Sequence, residues 1–147
     1  MYRSIDRDAL IAALESGFTT SPAGPVGAGT LAVMQARGSL CLVDRDGSGT
    51  WLDPRSGAFD GVRALDGAWL EHVLAGSGAD VAYQHGVDEV RALMRDDPSV
   101  VAAVLIRPVS VTEIERTARE GLLMPPKSTF FTPKLRTGFV VRELAAS

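Results

Sequence analysis

The run Val100-Val101-Ala102-Ala103-Val104-Leu105-Ile106 decides the fold. It is apolar throughout, and Val100, Val101, Val104 and Ile106 are β-branched. A strand with one face in water alternates apolar and polar residues; a run without alternation predicts a strand covered on both faces. Covering both faces takes helices, and the flanking sequence supplies them. Upstream, Val87–Arg95 places Val90, Leu93 and Met94 on one side of a helix, with a strand at Val81–Gln84 before it. Downstream, Ser110 opens a further helix, with Glu113 positioned to complete a capping box; this helix runs to about Glu120 and stops at Gly121. Asp66–Leu74 reads as a short helix with Trp69, Leu70, Val73 and Leu74 inward, and Gly138–Glu143 as the last strand. The order strand–helix–strand–helix–loop–strand predicts an α/β fold, with α+β as the alternative, built on a mixed sheet.

Ahead of this layer, Asp6 caps a helix running to about Ser16, with Leu10, Ile11 and Leu14 on one face and Gly17 as its stop. Thr20–Gly29 is rich in glycine and proline and predicts a long loop. Three short apolar runs follow, Leu31–Ala36, Ser39–Val43 and Thr50–Leu52, separated by the turn signals Arg37-Gly38 and Asp46-Gly47-Ser48-Gly49. They predict an antiparallel meander. Asp44 and Asp46 resemble the start of a calcium loop, but the later carboxylates of that loop are missing, so a hairpin turn is expected. Residues 1–147 thus read as a single domain, with helix plus meander in 1–60 and a βα layer in 61–147.

Composition narrows the functions. A chain of 147 residues with 46% hydrophobic and 22% charged residues can bury a core without disulfide or metal staples. Its net charge of −3 gives no overall field toward nucleic acid or an acidic membrane. A single cysteine, Cys41, excludes an intrachain disulfide framework and is expected to pack as a small strand residue. Two histidines without spaced carboxylates predict no metal site. No apolar run approaches the roughly 18 residues of a membrane span, and Met1-Tyr2-Arg3-Ser4 lacks a secretion block, so a cytoplasmic protein is expected.

One segment departs from this balance. From Gly121 to Arg142 there is no acid, while Lys127, Lys134, Arg136 and Arg142 bring a local charge of +4. Lys127 and Lys134 are the only lysines beside thirteen arginines, and a lysine differs from arginine in being a compact point charge. In Met124-Pro125-Pro126-Lys127-Ser128-Thr129-Phe130-Phe131-Thr132-Pro133-Lys134, three prolines each remove a donor and hold the backbone extended. Cations with hydroxyls and no acid suit a phosphate or carboxylate. Gly121–Ser128 nearly spells a nucleotide-binding P-loop, but Pro126 stands at the second glycine and a helix precedes it, so that cradle is not built. The competing expectation is structural: Phe130 and Phe131 anchor the connection while the lysines are solvated.

The same stretch, with Arg136-Thr137-Gly138, closely resembles the C-terminal signature of the bacterial family called domain of unknown function 1015. Val81-Ala82-Tyr83-Gln84-His85 and Ala103–Val111 resemble two further stretches of it, in the same order, and the likeness runs from about residue 66 onward. Members are longer, with an upstream Asp-Gly-His-His-Arg motif similar to those of ParB-like partition proteins and a free-serine kinase. That motif does not occur in this sequence. Thr132 and Gly86 depart from the family, which commonly has an aromatic and an aspartate there. The resemblance implies the C-terminal part of a longer architecture whose missing half is its partner. It implies a link to phosphotransfer outside this chain, a chain inactive by itself, and a nucleotide at most in the whole protein, with no cofactor here. The site expected is anion binding by Lys127, Ser128, Thr129, Lys134 and Arg136, with His85 and Arg107 at the strand ends. The ligand would be an anionic small molecule, with nucleic acid disfavoured for this part. The alternative function is a non-catalytic interaction module of a ParB-like protein.

Overall fold

All 4 residues of strand β3 (Leu40–Val43) are buried, and they alternate between two cores. Leu40 and Leu42 enter one core, Cys41 and Val43 the other. The computed structural model describes residues 1–121, and within them β3 is an inner strand of a 4-stranded sheet. Its spatial order is β2 (Phe18–Pro25), β4 (Ser48–Pro54), β3 and β6 (Ala103–Leu105). Helices α1 (Arg7–Glu15) and α3 (Asp66–Val73) put Leu10, Leu14 and Leu70 against Leu40 and Leu42. Helices α2 (Thr30–Arg37) and α4 (Val87–Asp96) put Met34, Val90 and Met94 against Cys41 and Val43. The architecture is α/β: a sheet between two helical layers. The run Val100–Ile106 behaves as its composition requires, with Ala103 and Leu105 in one core and Ala102, Val104 and Ile106 in or against the other. Every neighbouring strand pair described is antiparallel. The described sheets are therefore antiparallel throughout, where a mixed sheet was expected, because the elements that pair are joined by hairpins and returns and not by parallel crossovers.

Several local expectations hold. Asp6 caps α1, its Oδ2 accepting from Asp8 N at 3.0 Å and Ala9 N at 3.3 Å. The β3–β4 connection is a hairpin turn. Both of its carboxylates are committed within the protein: Asp44 receives Arg7 Nε and Nη2 at 2.9 Å each, and Asp46 accepts from Ser48 N at 2.8 Å. Cys41 is fully buried in β3, and burial pushes its thiol up to about 11. Ser110 caps α5 (Val111–Arg119) by accepting from Glu113 N at 3.2 Å. The Glu113 carboxylate turns to Arg116 at 2.8 Å and Arg63 at 3.2 Å, so only the serine half of the expected box forms.

The expected loop Thr20–Gly29 is mostly strand. β2 pairs with β4 from Phe18↔Pro54 to Pro25↔Ser48, with a bulge between Pro22 and Gly24. β2 lies at the sheet's edge, where a proline can face outward without removing a ladder bond. Leu31–Ala36, expected as a strand, lies in α2. Leu, Ala, Met and Gln are good helix formers, and a short apolar run does not by itself distinguish helix from strand. The supposed hairpin turn at Arg37-Gly38 is the end of that helix. Gly38 sits at φ 74°, its N–H donating to Met34 O at 2.9 Å, a conformation glycine adopts at little cost. The three-stranded antiparallel unit therefore exists, but β2 is its third member and α2 crosses between β2 and β3. The expected strand Val81–Gln84 shrinks to β5 (Asp80–Val81), which pairs with β1 (Tyr2–Arg3). The last expected strand, Gly138–Glu143, lies outside the described residues.

Gly17 joins α1 to β2 where no side chain fits. A Cβ there would lie 2.6 Å from Val73 Cγ1 and 2.7 Å from Phe59 Cζ. Gly17→Ala is expected to lower unfolding free energy in urea titrations by about 1–3 kcal/mol, as overpacking does. Gly27→Ala, where a Cβ meets nothing within 4 Å, should lie within roughly 0.5 kcal/mol of wild type.

Candidate functional site

β1 is short, and it joins the two sheets. On one side Met1 N donates to Ala82 O and Ala82 N to Met1 O, each at 2.9 Å. On the other, Tyr2 N donates to Ala102 O and Val101 N to Tyr2 O, each at 2.9 Å. Arg3 anchors the strand from its far end. Its Nη2 meets Asp97 Oδ2 at 2.8 Å and its Nε donates to Ser99 Oγ at 3.1 Å. The Tyr2 ring is buried in the core under α1, and that burial raises its phenol above the ordinary range.

Past Met1 the rows that β1 holds together separate, leaving a cleft of about 760 Å³. Residues 103–109 and 81–87 line it, together with Leu70 on α3, Leu74 at the cap of that helix, and Val111 and Ile114 on α5. The lining is mainly apolar. Among the described residues, its polar side chains are those of Tyr2, Glu71, Tyr83, Gln84, His85 and Arg107.

Arg107 follows the buried strand, as its place in the sequence suggested, but its first partner is internal. Its Nη2 lies 2.5 Å and its Nε 3.2 Å from Asp66 Oδ1, and its backbone N donates to Asp66 Oδ2 at 2.7 Å. Asp66 opens α3 and its side chain is only 7% exposed, so this carboxylate needs the guanidinium. The guanidinium also rests 5.7 Å from the Trp69 ring centre, and Trp69 stacks on Phe59 at 5.0 Å. The hydrogen bonds to Asp66 hold Arg107 above its ordinary pKa. Its Nη1 points past Gly38 and makes no hydrogen bond among the described residues. Arg107 is therefore a neutralised clamp with one free corner, and not the bare cation that its sequence position suggested. The missed partner carried a weak signal: Asp66 was assigned to the start of a helix, where an acid is already favoured by the helix dipole.

The structure brings His85 and Arg107, 22 positions apart, to the same cleft, as expected. His85 is exposed and immediately precedes Gly86, which at φ 84° starts α4. That positive φ holds the position to glycine, because side chains of L residues rarely adopt it. Lys127, Ser128, Thr129, Lys134 and Arg136, the remaining expected site residues, lie outside the described residues. His72, on α3, meets Phe59 edge to face, with the ring centroids 6.1 Å apart. Among the described residues no cluster of His, Cys, Asp and Glu could hold a metal ion, and no helix is long and apolar enough to cross a membrane. No family model, curated protein or solved structure matches the chain, so the site rests on its own geometry.

Two measurements test this scaffold. In a double-mutant cycle, Asp66→Ala and Arg107→Ala should each cost about 2–3 kcal/mol, because each strands a half-buried partner. The double variant should lose less than the sum, by about 1–2 kcal/mol. The Arg3–Asp97 anchor adds a pH dependence. Hydrogen bonds from Ser99 and Arg3 lower Asp97 to about 2, so its contribution is complete above the ordinary carboxylate pKa and is lost as pH falls toward 2. Between pH 4 and pH 2 the melting temperature of wild type should fall more steeply than that of Asp97→Asn.

Proposed function

We propose that the chain binds a small molecule bearing a phosphate or carboxylate in the cleft that His85 and Arg107 both line, with its anionic end toward these two residues and its body along the apolar lining. The observation that carries this reading is the convergence of these two residues on one cleft of about 760 Å³, a size suited to a small ligand. Arg107 Nη1 offers an uncommitted pair of donors, but Asp66 already balances the arginine's charge. Net positive charge would come from Lys127, Lys134 and Arg136, with Ser128 and Thr129 donating hydrogen bonds to the anion's oxygens. The resemblance to the domain of unknown function 1015 family supports a binding part within a longer, kinase-like protein, whose general base and metal ligands would lie elsewhere. This chain would then bind and position a ligand without transforming it.

The test is thermal unfolding with inorganic phosphate, ATP, ADP, phosphoserine and succinate. At a hundredfold excess over Kd, a true ligand should raise the melting temperature by roughly 5–10 °C. Lys127→Ala and His85→Ala should each reduce the shift while leaving the unliganded melting temperature within about 2 °C of wild type. No shift with any of the five compounds removes the proposal.

A further inference from the structure

α4 and the tip of the β3–β4 hairpin border a recess of about 50 Å³ that is separate from the cleft. Arg91, Met94 and Arg95 of α4 line it together with residues 44–47, and none of these lines the cleft. Val90 and Met94 are buried, and Arg91 and Arg95 each follow one of them. At about 3.6 residues per turn the two arginines therefore share one side of the helix, at the edge of its buried stripe. Among the described residues neither takes part in a hydrogen bond or an ion pair. A Cβ on Gly47 would stand 3.3 Å from Arg91 Nη2 and 3.6 Å from its Nε, so the glycine leaves the room beside this guanidinium. Arg45 is held by one nitrogen. Its Nη1 donates to Asp97 O at 3.1 Å and to Val100 O at 2.8 Å, which leaves Nε and Nη2 without a bond among the described residues.

Asp44 and Asp46, the acids of this lining, are already answered. Arg7 donates to both oxygens of Asp44. Ser48 donates from Oγ at 2.6 Å and from N at 2.8 Å to Asp46 Oδ1, and these bonds hold its carboxyl below the ordinary range. Arg7, Arg45, Arg91 and Arg95 against Asp44 and Asp46 leave positive charge in excess, although the chain as a whole is acidic. We infer that this recess is a second anion site, which takes a single phosphate group, either free phosphate or the end of a phosphomonoester. Guanidinium forks donate in pairs and match the oxygens of a tetrahedral oxyanion, with bonds stronger than those between neutral groups. The recess has room for a few water molecules, hence for one small polyatomic ion and not for a nucleoside. The C-terminal end of α4 opposes an anion only weakly at an exposed position, whereas the arginine bonds are charge-assisted. Arg91 is half-buried while Arg45 and Arg95 are exposed, so a ligand enters from solvent and added salt weakens it. The site stands on its own residues and does not depend on the cleft.

Nitrogen–proton correlation spectra of the full chain, titrated with inorganic phosphate at constant ionic strength, test it. The Gly47 amide and the Nε–H signals of Arg45, Arg91 and Arg95 should move together along one saturable curve. Phenyl phosphate should give the same response if a monoester fits; a response to inorganic phosphate alone assigns the site to the free ion. Arg91→Gln with Arg95→Gln should weaken binding by at least about tenfold, as the loss of charge-assisted bonds requires, while the Leu42 and Val43 amides keep their wild-type positions. Arg91→Lys, which keeps the charge and loses the fork, should weaken it by a smaller factor. His85→Ala should leave this titration unchanged, which separates the recess from the cleft. No saturable movement at millimolar phosphate overturns the inference. So does an equal response to chloride, which would mark general screening, or a dissociation constant unaltered in the double variant.

Discussion

Burial of β3 on both faces is the constraint from which the rest of the molecule follows. Leu40 and Leu42 require an apolar layer on one side, Cys41 and Val43 another on the opposite side, and no single helical layer can serve both. Each fully buried aliphatic side chain is worth roughly 1.5–3 kcal/mol relative to exposure, so leaving either face bare would forfeit several. Helices α1 and α3 answer one face and α2 and α4 the other. β6 inherits the same condition as the neighbour of β3, which is why Val100–Ile106 shows no polar alternation.

The cleft arises where this arrangement stops short. β1 is tied to β5 and to the approach of β6, and it is braced by Arg3 on Asp97, but it covers little of the length that β6 offers. Beyond it the flanking rows leave the mainly apolar cleft between them. Arg107 sits at this opening with its charge already balanced by Asp66. Its main work is to fasten the end of β6 to the start of α3, and its contribution to anion recognition is confined to the corner that Asp66 leaves over.

Local sequence signals were sufficient where one residue type performs one task. Asp6 and Ser110 cap helices, Gly17 and Gly121 close them, and Asp46–Gly49 turns a hairpin, because each uses only atoms a few residues away. The signals misled where the deciding partner is distant. Thr20–Pro25 carries the residues of a loop, yet β4 offers an edge on which prolines are tolerated. Leu31–Ala36 carries enough apolar residues for a strand, yet the site they occupy needs a helix to cover Cys41 and Val43. Arg107 was legible as the residue that follows a buried strand, whereas His85 stands four residues beyond the short β5; the Asp66 partner of Arg107 was not legible, because a helix-opening aspartate looks complete without it.

By itself, then, the sequence determined the α/β class, the two-sided burial of its central strands, most helix ends and the acid-free character of Gly121–Arg142, since composition and short-range geometry decide these. Tertiary structure alone decided which segments pair, that β2 rather than residues 31–36 extends the sheet, that Asp66 claims Arg107, and that His85 and Arg107 line one cleft. Each of those depends on contacts between residues far apart in the chain, whose free energy is realised only when the layers meet.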